Sequence, residues 1–463
     1  MLLFLLPVCA PLVQSVFGSP ASDILTASTP TNSTILEFGL ASTSAFDTCT
    51  DISLCRTQYT IVWSSLITIF ACVWTAVHRN VPEPAREGKS QFWRVVGRVL
   101  EAAKIVVVTV LAPEWVLAWA LRQRLNAREV GRKLENARVE AKGEWDATQK
   151  ELNDMMLGRR EEEAPSLTST SAEWTARHGF FVTMGGFHYY RDGKPRHPLS
   201  PEDIVSLVKS GDLVPPTDEE IRNLSQSDML SKMLAVVQTL WFVVQVIARR
   251  IEGFPVTQLE IMTLAYTTIT VAMYVAWWDK PQNVGGPLRV AVKQLPWSGL
   301  VEEMEWYGRI FYVIAGWQDG LVDMRKKRRV PTFYGGNSSY NDNNVLRADV
   351  LALFSAMVFG AVHCAAWNYA FPSHSEKSIW RISSLAIVVL PAAMLVPVLV
   401  MLADKLPDWV ILETALSVMF ALCAPLYVAA RFLLLALSFS TLRSLPPDAY
   451  RDVQWTLRIP HFT

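Results

Sequence analysis

The sequence has no net charge, because 43 lysines and arginines are matched by 43 aspartates and glutamates. A chain without a global positive field has no electrostatic reason to bind nucleic acid, so we predict no nucleic-acid partner. Charged residues of any sign are also few, at 19% of the 463 residues, whereas apolar residues make up 51%. This balance lies on the membrane-protein side of the usual globular composition.

Motifs that would identify a familiar enzyme are also missing. The polar segments contain His178, His188 and His197, but these lack metal-ligand spacing and have no cysteine partner. No Walker loop, nucleophile elbow or dinucleotide fingerprint occurs in the sequence. We therefore predict neither a metal nor a cofactor, and a chain that is not an enzyme is the favoured expectation.

The N-terminus, residues 1–18, is a short apolar run that contains Pro7 and Pro11 and ends in small residues. This pattern predicts a cleaved signal peptide, although a positive N-terminal region is missing. An uncleaved anchor helix fits less well, because the run is short and prolines break helices. Residues 19–58 are then a lumenal or extracellular segment, in a protein located in the secretory pathway or the plasma membrane.

Cysteine is scarce, and the six cysteines lie in three settings. Cys9 belongs to the predicted signal peptide, and Cys49 and Cys55 lie in the polar segment that follows it. An oxidising lumen favours a disulfide between Cys49 and Cys55, with two free thiols as the alternative. The others lie in apolar runs, where a thiol behaves as a small hydrophobic group: Cys72, Cys364 and Cys423.

Apolar runs that approach the length of about 20 residues needed to span a bilayer recur along the chain. Aromatic residues such as Tyr59, Trp277 and Trp380 lie at their ends, where amphipathic rings favour the headgroup layer. The sequence therefore predicts an all-α polytopic membrane protein whose main partner is the lipid bilayer. Its predicted transmembrane helices are residues 59–78, 233–248, 258–278, 350–371, 382–402 and 410–442, the last with an interfacial extension before the tail 443–463.

The apolar stretch at residues 95–121 is ambiguous, because it contains Glu101 and Lys104 and is interrupted at Pro113-Glu114. Several arginines follow it directly, which disfavours a crossing under the positive-inside rule. We predict a re-entrant or interfacial helix here, and so six transmembrane helices. If the stretch crosses the bilayer, the number is seven and every later segment changes sides.

Two polar regions, residues 122–231 and 279–347, are predicted to be cytoplasmic because both are rich in basic residues. The first begins as a charged helix and continues as a small α+β unit with an aromatic, strand-like stretch at 180–190. The charged helix could bind a partner protein, although packing against its own chain is more common. The second contains five consecutive basic residues, 325–329, which favour the cytoplasmic side.

Four short segments resemble a family of uncharacterised fungal multi-pass membrane proteins. They are Cys55–Thr60, Val77–Pro82, Arg177–Phe187 and Trp277–Pro281, and the similarity extends from about residue 49 to His461. The resemblance implies a multi-pass membrane fold. It implies no activity, cofactor or functional residue, since that family has none assigned.

Polar side chains inside predicted spans are candidate functional residues, because burying them in hydrocarbon is costly unless they are paired. His363 is the clearest, and it lies beside a stripe of small residues that allows close helix packing. It could handle protons or act in catalysis, but a hydrogen bond that fixes helix packing is the more common use. The intramembrane candidates are Gln238, Gln245, Glu260, His363 and Glu413.

These features favour a non-enzymatic membrane protein, that is, a channel, a transporter or a sensor regulated through residues 122–231. The alternative is a membrane-embedded enzyme, such as an acyl or lipid transferase that uses His363. That alternative depends on one histidine in an apolar helix.

We predict that Asn32 is the glycosylated residue of this chain. Acceptor sequences begin at Asn32, Asn223 and Asn337, and only the first lies in the predicted lumenal segment. Glycosidase treatment should shift the protein on a gel, and Asn32→Gln should abolish the shift. A sugar on Asn223 or Asn337 would contradict the six-helix topology.

Overall fold

The computed structural model describes residues 55–84, 91–155, 173–225, 229–291, 322–336, 343–403 and 409–453. The predicted signal peptide, Asn32 and Cys49 lie outside these residues, so the signal peptide, the glycan and the Cys49–Cys55 disulfide stay predictions. Cys55 is described, and it forms an antiparallel β-bridge with Arg451.

The described chain is mostly helical and includes one small sheet. Its helices are α1 (Gln58–Ala76), α2 (Gln91–Leu111), α3 (Pro113–Met155), α4 (Ala176–Thr183), α5 (Pro201–Lys209), α6 (Asp218–Leu224), α7 (Met229–Ile251), α8 (Gln258–Ala276), α9 (Asn343–Cys364), α10 (His374–Leu402) and α11 (Trp409–Ser440). Its strands are β1 (Phe187–Arg191), β2 (Lys194–Pro198) and β3 (Leu288–Val290), and 3-10 turns occur at Met324–Lys326, Thr441–Ser444 and Pro447–Tyr450.

Six helices of the described chain are long and apolar enough to cross a bilayer, as the sequence predicts. They are Gln58–Ala76, Met233–Ile251, Gln258–Ala276, Asn344–Cys364, His374–Leu402 and Val418–Ser444.

Helix bounds differ from the predicted spans mainly at α9 and α10. Helix α9 begins and ends earlier than 350–371, because the chain turns after Cys364. Helix α10 begins eight residues before 382, where the Ser373 hydroxyl accepts from the Glu376 amide at 3.1 Å and caps the helix. Hydropathy alone misses such polar first turns.

The loops at one end of the bundle, which we call the Arg56 end, are joined by hydrogen bonds. Arg56 Nε and Arg249 Nη2 both donate to the Ala449 carbonyl oxygen, at 2.8 and 3.1 Å. Gln258 Nε2 donates to the Ala370 carbonyl oxygen at 2.9 Å. The residues before α1, the α7–α8 and α9–α10 loops and the residues after α11 therefore lie together.

We call the opposite end the Lys280 end. Lys280 Nζ donates to the His78 carbonyl oxygen at 2.5 Å, which joins the end of α8 to the end of α1. Arg122 pairs with Asp349 near the start of α9, and the end of α10 packs on that same region. Helices α1, α8, α9 and α10 therefore each run from one end of the bundle to the other.

Residues 95–121, the ambiguous stretch of the sequence, fold as parts of two helices that meet at Ala112. The last regular bond of α2 runs from the Ala112 amide to the Val108 carbonyl oxygen at 2.7 Å. Pro113 has no amide hydrogen and is well suited to the first position of a helix, so α3 starts there.

The chain reverses direction at this break. On α2, Glu101 forms an ion pair with Arg329. On α3, Gln123 Nε2 donates to the Tyr334 carbonyl oxygen at 2.8 Å. Because both helices lead back to the same segment, residues 329–334, α2 and α3 form a helical hairpin whose tip is Ala112.

One hydrophobic core lies among the long helices, and a second lies at the Lys280 end. We call the region around the second core the sheet unit: residues 173–225, β3 and the middle of α3. The sheet order is β2-β1-β3, with β1 antiparallel to β2 and parallel to β3. Strand β3 comes from the second polar region, which the sequence did not predict. The strand-like interpretation of residues 180–190 is wrong in its first part, because Phe180 and Phe181 lie on α4 and are buried there.

The basic residues 325–329 connect this segment to other elements through ion pairs. Three of them form ion pairs with carboxylates of three other elements: Arg325 with Asp203 at 3.1 Å, Arg328 with Glu83 at 3.7 Å, and Arg329 with Glu101. Partly exposed pairs of this kind contribute little individually. Together they hold α5, the residues after α1 and α2 around one short segment.

We expect Gly179→Ala to destabilise the sheet unit. A Cβ at Gly179 would lie 1.8 Å from the Ala127 backbone oxygen, where α4 crosses α3, so the helices must separate. Overpacking costs about 1–3 kcal/mol, and a backbone neighbour gives little room to relax. Thermal unfolding of the purified protein measures the loss. Gly143→Ala on α3 is the control, since its Cβ meets nothing within 4 Å, and an equal effect of both variants would contradict the prediction.

Candidate functional site

The first candidate site is a buried polar cluster around Lys280. It is built from two of the segments that resemble the fungal membrane-protein family. Lys280 Nζ donates to the His78 carbonyl oxygen at 2.5 Å, to Gln123 Oε1 at 2.8 Å and to Asn80 Oδ1 at 3.2 Å. His78 and Asn80 belong to Val77–Pro82, and Lys280 belongs to Trp277–Pro281. The cluster therefore joins α1, α3 and α8 where these helices meet the sheet unit.

Aromatic rings complete the surroundings of Lys280. Its ammonium lies 4.9 Å from the ring centre of Trp119 and 5.0 Å from that of Trp277. Trp277 Nε1 donates to Gln123 Oε1 at 3.0 Å, and Trp119 Nε1 donates to the Tyr334 carbonyl oxygen at 2.9 Å. Burial lowers the pKa of Lys280 well below its usual range, whereas three oxygen acceptors and two ring faces favour the charged form.

The second candidate site is a cavity of about 320 Å³ among α3, α9, α10 and α11, which we call the α3–α11 cavity. Most of its wall is apolar, with Ala352 and Ala356 from α9, Met394 from α10, and Phe420 and Ala424 from α11. Its polar lining consists of Glu114, Arg122, Asp349 and Tyr427.

One polar part of the cavity wall is a nearly buried ion pair. Arg122 donates to Asp349 Oδ1 from Nε at 3.0 Å and from Nη2 at 2.5 Å. This pair balances its own charge, and it ties the hairpin to the start of α9.

The other polar part lies at the hairpin tip. Because α2 ends at Leu111, the last carbonyl groups of the helix have no partner within it. Arg431 of α11 supplies donors, from Nη2 to the Val110 oxygen at 3.2 Å and from Nε to the Leu111 oxygen at 3.3 Å. The Tyr266 hydroxyl also donates to the Val110 oxygen. A cation at a helix C-terminus also complements the helix dipole.

Arg431 is therefore the centre of a buried cluster of polar side chains. Its guanidinium lies 3.9 Å from the ring centre of Phe359, and its Nη2 lies 3.1 Å from the Tyr266 hydroxyl. It interacts electrostatically with Glu114, although no ion pair within 4.0 Å joins the two among the described residues. Glu114 and Tyr427 of this cluster line the α3–α11 cavity. The hairpin tip and α11 thus place a carboxylate and a phenol in the wall of an apolar space, with the Arg431 guanidinium close to both.

The candidates predicted from single positions lie elsewhere. His363 is buried, with Nδ1 2.9 Å from the Phe359 carbonyl oxygen, and its Nε2 has no partner among the described residues. Gln238 Nε2 donates to Thr68 Oγ1 at 3.3 Å and so joins α7 to α1, and Gln245 is half-buried on α7.

Glu260 caps α8 and pairs with Arg56 at the Arg56 end. Glu413 lies on α11, but its side chain is outside the described residues. None of the four candidates whose side chains are described lines the α3–α11 cavity. Sequence reasoning missed Arg431 and Tyr427 as site residues. The usable signal was two opposite charges, Glu114 and Arg431, that interrupt apolar runs.

The described chain therefore defines a class: a helical protein with six candidate membrane spans, a helical hairpin packed among them and a small sheet unit at one end. The chain belongs to the family of unknown function DUF8562, whose model matches residues 35–304. No curated protein and no solved structure matches it. Membership of an uncharacterised family is confirmed, and a fungal origin stays a prediction.

Proposed function

We propose that this protein is a non-enzymatic membrane sensor, which binds a lipid in the α3–α11 cavity. Lipid binding then changes the conformation of the sheet unit. One observation carries the proposal: a single 43-residue helix, α3, belongs to both places. Its residues Glu114, Trp115, Ala118 and Arg122 line the cavity. Further along the helix, Val130, Leu134 and Ala137 pack in the core of the sheet unit. A displacement of α3 by a ligand therefore reaches the sheet unit directly.

The contact between α3 and the sheet unit is close enough to transmit such a displacement. Ala127 and Leu134 of α3 are fully buried, and Gly179 of α4 packs directly on the Ala127 backbone. Closely packed interiors shift between discrete arrangements and do not deform continuously. A ligand that favours one position of α3 will favour one arrangement of α4.

The membrane arrangement in this proposal has six crossing helices and a re-entrant α2–α3 hairpin. The hairpin tip supports it, because its carbonyl groups are bonded by Arg431 and Tyr266, and non-helical backbone at membrane depth must be satisfied by protein. The basic residues around the Lys280 end favour a cytoplasmic sheet unit.

A sensor fits the polar side chains better than a channel or a transporter does. Gln238 and Glu260 are used in helix packing, helix capping and an ion pair, and neither lines the cavity. The chain also has no internal repeat of the kind that marks the two halves of many transporters.

Filling the cavity tests the proposal. We expect Ala424→Phe to remove a co-purifying lipid that native mass spectrometry detects on the wild-type protein. We also expect it to change hydrogen–deuterium exchange in residues 176–209. Ala421→Phe is the matched control, because it places the same ring on an exposed face of α11. Equal lipid retention by both variants, or unchanged exchange in the sheet unit, contradicts the sensor proposal.

The competing proposal is a membrane-embedded transferase that uses His363. The unpartnered Nε2 atom favours it, since a general base needs a free ring nitrogen. Against it, His363 is fully buried between Phe359 and Trp380 and does not line the α3–α11 cavity. His363→Ala should leave cellular lipid and acyl-product profiles unchanged, and a lost product would favour the enzyme.

A further inference from the structure

We propose that the ligand of the α3–α11 cavity is a neutral lipid with a hydroxyl group, and that this hydroxyl binds between Glu114 and Tyr427. This assignment of a ligand class rests on the sensor proposal, because it uses the same cavity. It is drawn from the size of the cavity, its unpaired polar atoms and its balance of charge.

The cavity can hold a hydrocarbon portion of a lipid. Its volume of about 320 Å³ is at the lower end of the range of small-molecule sites, about 300–1,000 Å³. Leu353, Met394, Val398 and Phe420 give it an apolar surface, which offers no partner for an extended polar group. Only a ligand that is apolar over most of its length matches this wall.

Two buried polar atoms in the cavity wall, Glu114 Oε2 and the Tyr427 hydroxyl, make no well-formed hydrogen bond to a described residue. Both atoms are shielded from solvent, and although the two side chains interact with each other, their contact does not reach the geometry of a hydrogen bond. Both residues line the cavity. Buried polar groups in proteins are nearly always bonded, so this pair points to a missing partner.

A ligand hydroxyl matches both atoms at once. A carboxylate oxygen only accepts, whereas a phenol both donates and accepts. A hydroxyl group can donate its hydrogen to Glu114 Oε2 while its oxygen accepts from the Tyr427 hydroxyl. A ligand with only a carbonyl group could satisfy Tyr427 but would leave Glu114 unpaired.

The charge at the site favours a neutral headgroup. The Glu114 carboxylate is already opposed by the Arg431 guanidinium, and the Arg122–Asp349 pair is balanced as well. An anionic headgroup would face Glu114, and a cationic headgroup would add to the positive charge of the nearby Arg431. Either would add an uncompensated charge in a poorly solvated place, which is costly.

Two lipid classes supply this chemistry, namely sterols and diacylglycerols. The test uses the full-length protein in phosphatidylcholine nanodiscs and three photoactivatable probes: a sterol, a diacylglycerol and a fatty acid. We expect one neutral probe to crosslink to peptides of α3 or α11, and the labelled probe identifies the source. Preferential labelling by the fatty acid, or no labelling by either neutral probe, overturns the proposal.

The contribution of the hydroxyl contact is measured with Tyr427→Phe, which removes one oxygen and keeps the ring. We expect the competing unlabelled lipid to bind at least about tenfold more weakly, the loss typical of one buried hydrogen bond. Tyr59→Phe is the control, since Tyr59 is exposed at the start of α1. Both variants must elute as monodisperse protein with unchanged helicity. Unchanged competition in folded Tyr427→Phe contradicts the hydroxyl contact.

The Ala424→Phe variant separates the two proposals. If it abolishes labelling while Tyr427→Phe has no effect, the cavity binds lipid but the proposed hydroxyl contact is wrong. If all labelling survives in Ala424→Phe, the cavity is not the ligand site and both proposals fail.

Discussion

Replacing Lys280 with Met is expected to lower the free energy of unfolding by far more than an ordinary surface substitution does. The ammonium bonds three oxygen atoms and lies over two indole rings in a buried site. The variant leaves the His78 carbonyl oxygen without this donor, which costs about 1–3 kcal/mol. Loss of the desolvated cation–π contacts adds about 2 kcal/mol.

A total of about 3 kcal/mol or more is a large share of the stability of an ordinary domain, about 5–15 kcal/mol. Thermal unfolding followed by tryptophan fluorescence suits this test, because Trp119 and Trp277 lie in the cluster. Lys133→Met on an exposed face of α3 is the control, with an expected change within about 0.5 kcal/mol. If the two variants unfold at the same temperature, the cluster does not hold the helices together.

Arg431→Met is expected to release the hairpin tip, with a loss of about 3–5 kcal/mol and of lipid retention. The substitution removes the donors of the Val110 and Leu111 carbonyl oxygens. It also leaves the Glu114 carboxylate without its opposing charge, and removing one partner of a buried charge pair is strongly destabilising. The measurement is reversible unfolding of the detergent-solubilised protein by denaturant, which gives the free energy of unfolding of each variant.

A double variant isolates the charge interaction. Glu114→Gln in the Arg431→Met background should recover part of the stability, because the unpaired carboxylate is gone while the unbonded carbonyl groups remain. The coupling energy of the cycle should then be about 1–3 kcal/mol. Strict additivity of the two substitutions would show that Glu114 and Arg431 do not interact.

The parts of this fold that depend on local sequence could be predicted. The length of an apolar run shows by itself whether the run can cross a hydrocarbon layer, so the six candidate spans follow from short stretches of chain. The helix break at Pro113 is likewise a local feature. The start of α10 could not be read from hydropathy, because its first turn is polar and depends on the Ser373 cap.

The sites could not be predicted, because distant segments build them. Lys280 and His78 are 202 residues apart, and Arg431 and Val110 are 321 residues apart. No local sequence pattern predicts contacts between segments so far apart. His363 is recognisable in the sequence as a histidine in an apolar helix, whereas Glu114 and Arg431 appear there only as charges that interrupt apolar runs.

The bond between the hairpin tip and α11 also has a consequence for biosynthesis. Ribosomes add about 5–20 residues per second, so Arg431 emerges on the order of tens of seconds after Val110. During that interval the carbonyl oxygens at the end of α2 need hydrogen bonds from water or from polar groups of the translocation machinery. In the proposed re-entrant arrangement the hairpin reaches its final position only when the last helix arrives, and we expect chains truncated before α11 to be recognised and degraded as incomplete.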